Sequence, residues 1–156
     1  MGNEFTSTAY PLDSDGLQRA LDDLGVSAAQ FWAVLHVETL GCGFLPDRRP
    51  AILFERHIFS KSTGGAFDAT HPDVSSPQAG GYGASGVHQY DRLANAIGLN
   101  RQAALESTSW GIGQVMGFNA ETVGYADVED LVTAACRSEA DQAQAMAKFV
   151  AANGES

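Results

Sequence analysis

Ala51-Ile52-Leu53-Phe54-Glu55-Arg56-His57-Ile58-Phe59 is the stretch on which the fold class turns. Its apolar residues are too continuous to assign by period, because a buried strand and a buried helical turn both fit them. We read a short strand at 51–56 that runs into irregular structure or a helical turn. A strand here makes the chain α+β; without it, the surrounding segments describe a nearly all-α domain. Under strand geometry Glu55 shares a face with Leu53 and His57, while Arg56 points the other way. A carboxyl group among apolar neighbours is either half of a structural ion pair or a catalytic acid or base. The residues alone leave both readings open.

Upstream, Ser27 is placed to cap an amphipathic helix whose apolar stripe runs through Phe31, Val34 and Leu35. The next position on that stripe is Glu38, and Gly41 follows as a left-handed helix cap. Burial disfavours an ionised carboxylate, and the negative end of a helix adds to that effect. Both push the Glu38 pKa upward, as a general acid near neutral pH requires. The plainer reading is a last-turn glutamate that bends out to water. Before this helix, Asp13-Ser14-Asp15 offers caps for a short helix through Leu17, Ala20, Leu21 and Leu24, and residues 1–12 read as a loose lead-in.

Downstream, residues 60–87 are rich in Gly, Ser, Pro and Asp and include Gly80-Gly81-Tyr82-Gly83. A loop region of this length inside a compact domain commonly lines a site. Helical spacing returns from Tyr90 to Ile97 and ends at Gly98, Asn100 caps a helix through Leu105, and one long helix is expected from about Val128 to Ala152. Gly111 and Gly113 cost about 1 kcal/mol each inside a helix, and are tolerable where a second backbone or a ligand must approach closely. Gln114 beside them can both donate and accept hydrogen bonds. Trp110, Tyr82 and Tyr125 could stack on sugar rings or belong to the core.

The charge balance is nine basic against nineteen acidic residues, a formal −10. Nucleic acid is disfavoured as a partner, since phosphate neutralisation needs clustered Lys and Arg and the adjacent basic pair is Arg48-Arg49 alone. No apolar run approaches the roughly 18 residues of a membrane span, and no signal-peptide pattern opens the chain. His57, His71 and His88 form no metal-ligand motif, so neither metal nor cofactor is expected. Cys136 lies in an apolar helical pattern and reads as a buried free thiol, with Cys42 the other cysteine. Phosphate-binding loops and the Gly-x-Ser-x-Gly nucleophile elbow are absent.

Val37-Glu38-Thr39 with Gly41-Cys42-Gly43-Phe44-Leu45, Arg49 to His57, Gly80-Gly81-Tyr82, Ser107 to Asn119, Gly124-Tyr125 and Ser138-Glu139 occur in one order. Together they resemble the N-acetylmuramidase domain of phage endolysins, over about residues 17–152. That family is similar to the lysozyme superfamily. The resemblance implies an α+β, mostly α, lysozyme-like domain spanning 1–156, with a small β element beside an active-site cleft. It implies Glu38 as general acid and Gln114 as a wall of the glycan cleft, with Tyr82, Trp110, Asn119 and Tyr125 as further candidate substrate contacts. Glu55, in Phe54-Glu55-Arg56-His57, is inferred as the second carboxylate, with Asp47 as another choice. The implied activity is hydrolysis of the β-1,4 bond between N-acetylmuramic acid and N-acetylglucosamine. A lytic transglycosylase, a peptidoglycan-binding module without turnover, and a phage effector on the same scaffold are the alternatives. The expected partner is peptidoglycan, met by a monomer that reaches the cell wall through a phage holin. The family commonly has Gly where Arg48 stands and Ser where Thr39 stands, and it continues into a helical Tyr-Asn-Gly segment beyond this chain. The domain is therefore expected to be short at its C-terminus. If the Asp47-Arg48-Arg49-Pro50 turn needs positive φ, Arg48 is strained relative to Gly.

Overall fold

β1 (Ile52–Phe54), β2 (Thr108–Trp110) and β3 (Val115–Met116) form an antiparallel sheet in the order β1-β2-β3. The expected strand is therefore present, and the fold is α+β. Ile52 pairs with Trp110 and Phe54 with Thr108, so strands 56 positions apart are joined by tertiary structure rather than by a local turn. The computed structural model describes residues 2–13, 15, 18, 19, 21, 22 and 43–152. The expected Glu38 helix, with Ser27, Gly41 and Cys42, lies outside the described residues. Residues 15, 18, 19, 21 and 22 are helical, as the Asp13–Asp15 cap predicts.

The helices are α1 (Arg56–Ser62), α2 (Val87–Leu99), α3 (Arg101–Glu106), α4 (Val128–Arg137) and α5 (Glu139–Ala152); α2 packs on β1, α3 on β2 and α5 on β3, while α1 and α4 pack on α3. Asn100 ends α2 and starts α3. Its N–H closes on the Ala96 carbonyl at 2.9 Å, and its Oδ1 accepts the Ala103 N–H at 3.0 Å. α2 runs one residue past the expected stop at Gly98. Phe54, Phe59, Leu93, Leu105 and Ala143 are fully buried, and each of the large side chains among them contributes about 1.5–3 kcal/mol by leaving water.

Three expectations change. Gly111 and Gly113 are not in a helix; they form the β2–β3 turn, with φ of 72° and 81°, a region that side chains with a Cβ avoid. The long C-terminal helix is two helices. Ser138 is extended (φ −164°, ψ 156°), its Oγ accepts the Asp141 N–H at 3.0 Å, and its backbone bridges Tyr10. Continuous apolar spacing concealed that break, because the cap and the bridge both involve polar groups. Residues 1–12 are no loose lead-in where described. A 3-10 turn, Gly2–Phe5, buries Phe5 5.5 Å from the Tyr90 ring and 5.6 Å from Trp110. Tyr10 then donates to the Arg137 carbonyl and accepts from Glu139 N–H.

Candidate active site

Glu55 occupies the junction where β1 ends and α1 begins, with φ −107° and ψ 100°. Its N–H donates to the Ser107 carbonyl at 2.9 Å and its carbonyl accepts from Phe59 N–H at 3.1 Å. The backbone is thus tied to both the β2 approach and the helix. The side chain makes no capping bond to α1. It accepts the Tyr82 hydroxyl at 2.7 Å and is 17% exposed. His57 Nδ1 stands 3.5 Å from the same oxygen, buried and outside hydrogen-bond geometry. The strand-face reading of Glu55 with Leu53 and His57 gives way, since the strand stops at Phe54 and His57 is in the first turn of α1. Arg56 makes no structural pair with Glu55; it donates to the Gln78 carbonyl at 3.0 Å instead.

Tyr82 is held in place from behind by Gln89, which is fully buried. The Gln89 amide donates to the carbonyls of Tyr82 (2.7 Å) and Ala84 (2.9 Å), while its Oε1 accepts from Phe54 N–H (3.2 Å) and Arg92 (3.0 Å). One side chain therefore bonds the end of β1 to the glycine loop. Arg92 donates to the Phe54 carbonyl at 2.8 Å, and burial lowers its pKa. Gly81 and Gly83 allow the loop to lie against Arg56 and His88; a Cβ at either would overlap those side chains. The hydrogen bond to Glu55, reinforced by burial, raises the Tyr82 pKa and keeps its hydroxyl a donor.

The remaining candidates are dispersed in role. Gln114, at φ 51°, staples the hairpin: its Nε2 donates to the carbonyls of Gly111 (2.7 Å) and Ala51 (3.2 Å), and its Oε1 accepts from Ser109 (2.8 Å). Both amide hydrogens are committed within the protein. Trp110 is a correction: it is 2% exposed with its Nε1 on the Leu105 carbonyl, so no face remains for a sugar. Tyr125 is half-buried against the core, and burial raises its pKa. Asn119 is half-buried in the 3-10 turn Gly117–Asn119. Asp47 is bonded to Arg49 at 2.6 Å, a contact that lowers its pKa and fits a turn staple. Glu38 lies outside the described residues.

Gly43, five residues after Glu38, is clamped to α5: its N–H donates to Glu139 Oε2 at 2.9 Å, and its carbonyl accepts from Gln142 at 3.3 Å. Gln142, 2% exposed, also accepts Ile112 N–H at 2.7 Å and donates to Ala135. Sequence reading missed Gln89 and Gln142, and gave Glu139 no role beyond its place in a motif. A signal was present, because Gln89, Arg92, Leu93 and Ala96 share one stripe at i, i+3, i+4, i+7, as do Glu139, Gln142, Ala143 and Met146. Polar residues on an apolar stripe are candidates for buried hydrogen-bond hubs.

Among the described residues no three His, Cys, Asp or Glu side chains gather as a metal site requires, and no helix is long and apolar enough to cross a membrane. Residues 27–156 match the N-acetylmuramidase family, Muramidase. The chain belongs to that family. The chain is also similar to the crystal structure of a Burkholderia AP3 phage endolysin, at 44% sequence identity and a TM-score of 0.84. The likeness covers 92% of this chain and 55% of the endolysin, so the chain spans little more than half the length of that relative. No curated protein matches the chain. The chain thus pairs a mostly helical body with a small sheet, and the Glu55–Tyr82 contact sits at the sheet's helical junction.

Proposed function

We propose that this muramidase is a peptidoglycan hydrolase of the endolysin kind, acting on the cell wall. It cleaves the β-1,4 bond between N-acetylmuramic acid and N-acetylglucosamine. The observation that carries this reading is the Glu55 carboxylate, sheltered at the strand end and held by Tyr82. Family membership supports a glycosidase on this scaffold.

Glu38 is the general acid, giving its proton to the departing glycosidic oxygen as positive charge grows at the sugar carbon. Glu55 takes the proton of the attacking water, and Tyr82 steers which carboxylate oxygen stays open to that water. An inverting reaction of this kind places the two carboxyls roughly 6.5–9.5 Å apart. Gln114 contributes a rigid hairpin wall, while Tyr82, Asn119 and Tyr125 remain the substrate contacts. Trp110 supports the wall from the core.

The test is digestion of purified peptidoglycan with mass analysis, comparing the parent with Glu38→Gln. The parent should release fragments with reducing ends, and the variant should retain its circular-dichroism melt while losing turnover by about 10²-fold or more. Turnover by the variant within about tenfold of the parent would remove Glu38 from the acid role. Anhydro fragments, one water lighter, would replace hydrolysis with transglycosylation. Binding to insoluble peptidoglycan without any released fragment would leave a binding module.

A further inference from the structure

A cleft of about 360 Å³ opens between α1, the end of α3 and the Gly117–Asn119 turn, lined by Ile58, Lys61, Ser62, Glu106, Ser107 and Phe118. Its volume falls in the range of small-ligand sites, roughly 300–1,000 Å³. Positions 58, 61 and 62 are spaced i, i+3, i+4, so one face of α1 forms a wall. Ile58 lies three residues beyond Glu55, and Ser107, on the cleft floor, accepts the Glu55 N–H at 2.9 Å. The cleft is therefore built onto the same backbone as the candidate carboxylate.

Two properties define what fits. Ile58 and Phe118 supply apolar surface, and Phe118 is 54% exposed, one of three large apolar side chains left so among the described residues. Lys61 and Glu106 bring opposite charges to that surface, yet no ion pair within 4.0 Å joins them among the described residues. Among the described residues Glu106 accepts the neutral Gln102 amide, at 3.2 Å. Sugar hydroxyls and acetamido groups need no such charges. An anionic polymer would meet Glu106 as a like charge. An alkyl chain ending in a zwitterion matches both features, with its methylenes on Ile58 and Phe118, its ammonium toward Glu106 and its carboxylate toward Lys61.

We propose that this cleft is a subsite for the peptide stem of peptidoglycan, taking the diamino-acid residue by its two charges. The assignment rests on the peptidoglycan reading above, and predicts that the enzyme distinguishes stem-bearing glycan from stripped glycan. The experiment has two arms on the full chain. In the first, titration calorimetry uses the free tripeptide L-Ala-γ-D-Glu-meso-diaminopimelate, with the norleucine analogue in third position as control. The parent should bind the tripeptide, and Lys61→Glu and Glu106→Lys should each weaken binding about tenfold. The norleucine analogue should bind no better to the parent than the tripeptide does to either variant. In the second, turnover is measured on stem-bearing peptidoglycan and on amidase-stripped strands. Both variants should raise KM on the stem-bearing substrate and match the parent on stripped strands.

Absence of tripeptide binding to the parent at millimolar concentration would overturn the proposal, as would equal binding by parent and both variants. An equal KM rise on stripped strands would assign the cleft to the glycan instead. Charge-dependent tripeptide binding by a chain that cleaves neither substrate would uphold the subsite while removing the hydrolase reading.

Discussion

The Tyr82 hydroxyl donates to Glu55 Oε1 at 2.7 Å, joining the glycine loop to the strand–helix junction across 27 residues of chain. The bond raises the Tyr82 pKa, since an ionised phenol would face a carboxylate that can only accept. Glu55→Gln removes that charge, so the Tyr82 titration should move back toward 10.0, seen as tyrosinate absorbance appearing at lower pH. Tyr82→Phe should lower turnover about tenfold, the size of one hydrogen bond to a charged group. A tyrosinate curve identical in parent and Glu55→Gln would dissolve the pairing.

Gln89 is expected to matter more for folding than its polar side chain suggests. Gln89→Met is close in volume but strands the Phe54 N–H and the carbonyls of Tyr82 and Ala84 without partners. The buried Phe54 N–H left unpaired costs about 1–3 kcal/mol while water can reach the two loop carbonyls, so urea denaturation should show a loss of roughly 1–3 kcal/mol. A loss under about 1 kcal/mol would mean that the loop is held by other contacts.

Two glycines separate steric from conformational causes. At Gly117 an added Cβ would overlap the Leu105 carbonyl, a backbone group that cannot turn aside. At Gly111 the overlap is with the Gln142 side chain, and φ is 72°. Gln142 can yield only by releasing Ile112, Gly43 and Ala135. Both alanine variants should lose about 2 kcal/mol or more in thermal or urea melts, by overpacking at Gly117 and by strain at Gly111.

Burial pushes the Cys136 thiol up to about 12, from 9.0 in an open chain. Between those values the unfolded chain gives up its proton first, so stability is undiminished below pH 9 and falls as pH rises toward 12. Burial also raises the Tyr90 pKa, which acts in the same direction. Melts at about pH 8 and about pH 10.5 should therefore show an alkaline loss that is smaller in Cys136→Ala. Equal losses in both proteins would exclude the thiol as a contributor. In a Cys42→Ser background, the native chain should resist thiol labelling at neutral pH until urea is added.

Much of the local structure was legible before any fold was known, where chemistry and spacing agree locally. The strand at 52–54, the Asn100 cap, the buried Cys136 thiol and a strained Arg48 (φ 72°) follow from short-range steric and capping rules. Glu55 stood out as a carboxyl among apolar residues, but its partner did not. Arg56 was the nearer cation in sequence, and the fold turned it to the Gln78 carbonyl. Trp110 was put forward as a sugar contact, although an isolated Trp is more often core, until β2 was placed against Phe5 and Leu105.

Cap residues and motif order pointed by themselves to the family and to the acidic residues worth testing, because each cap or motif is read from neighbours a few positions apart, while the choice between α+β and nearly all-α waited for the pairing of β1 with β2. Only the tertiary structure decided that Tyr82 reaches Glu55, that Gln89 and Gln142 are buried hubs, and that Ser138 breaks the last helix against Tyr10. Those outcomes depend on where distant backbone groups need partners once water has gone, and a buried N–H or carbonyl takes whichever side chain the packing brings to it.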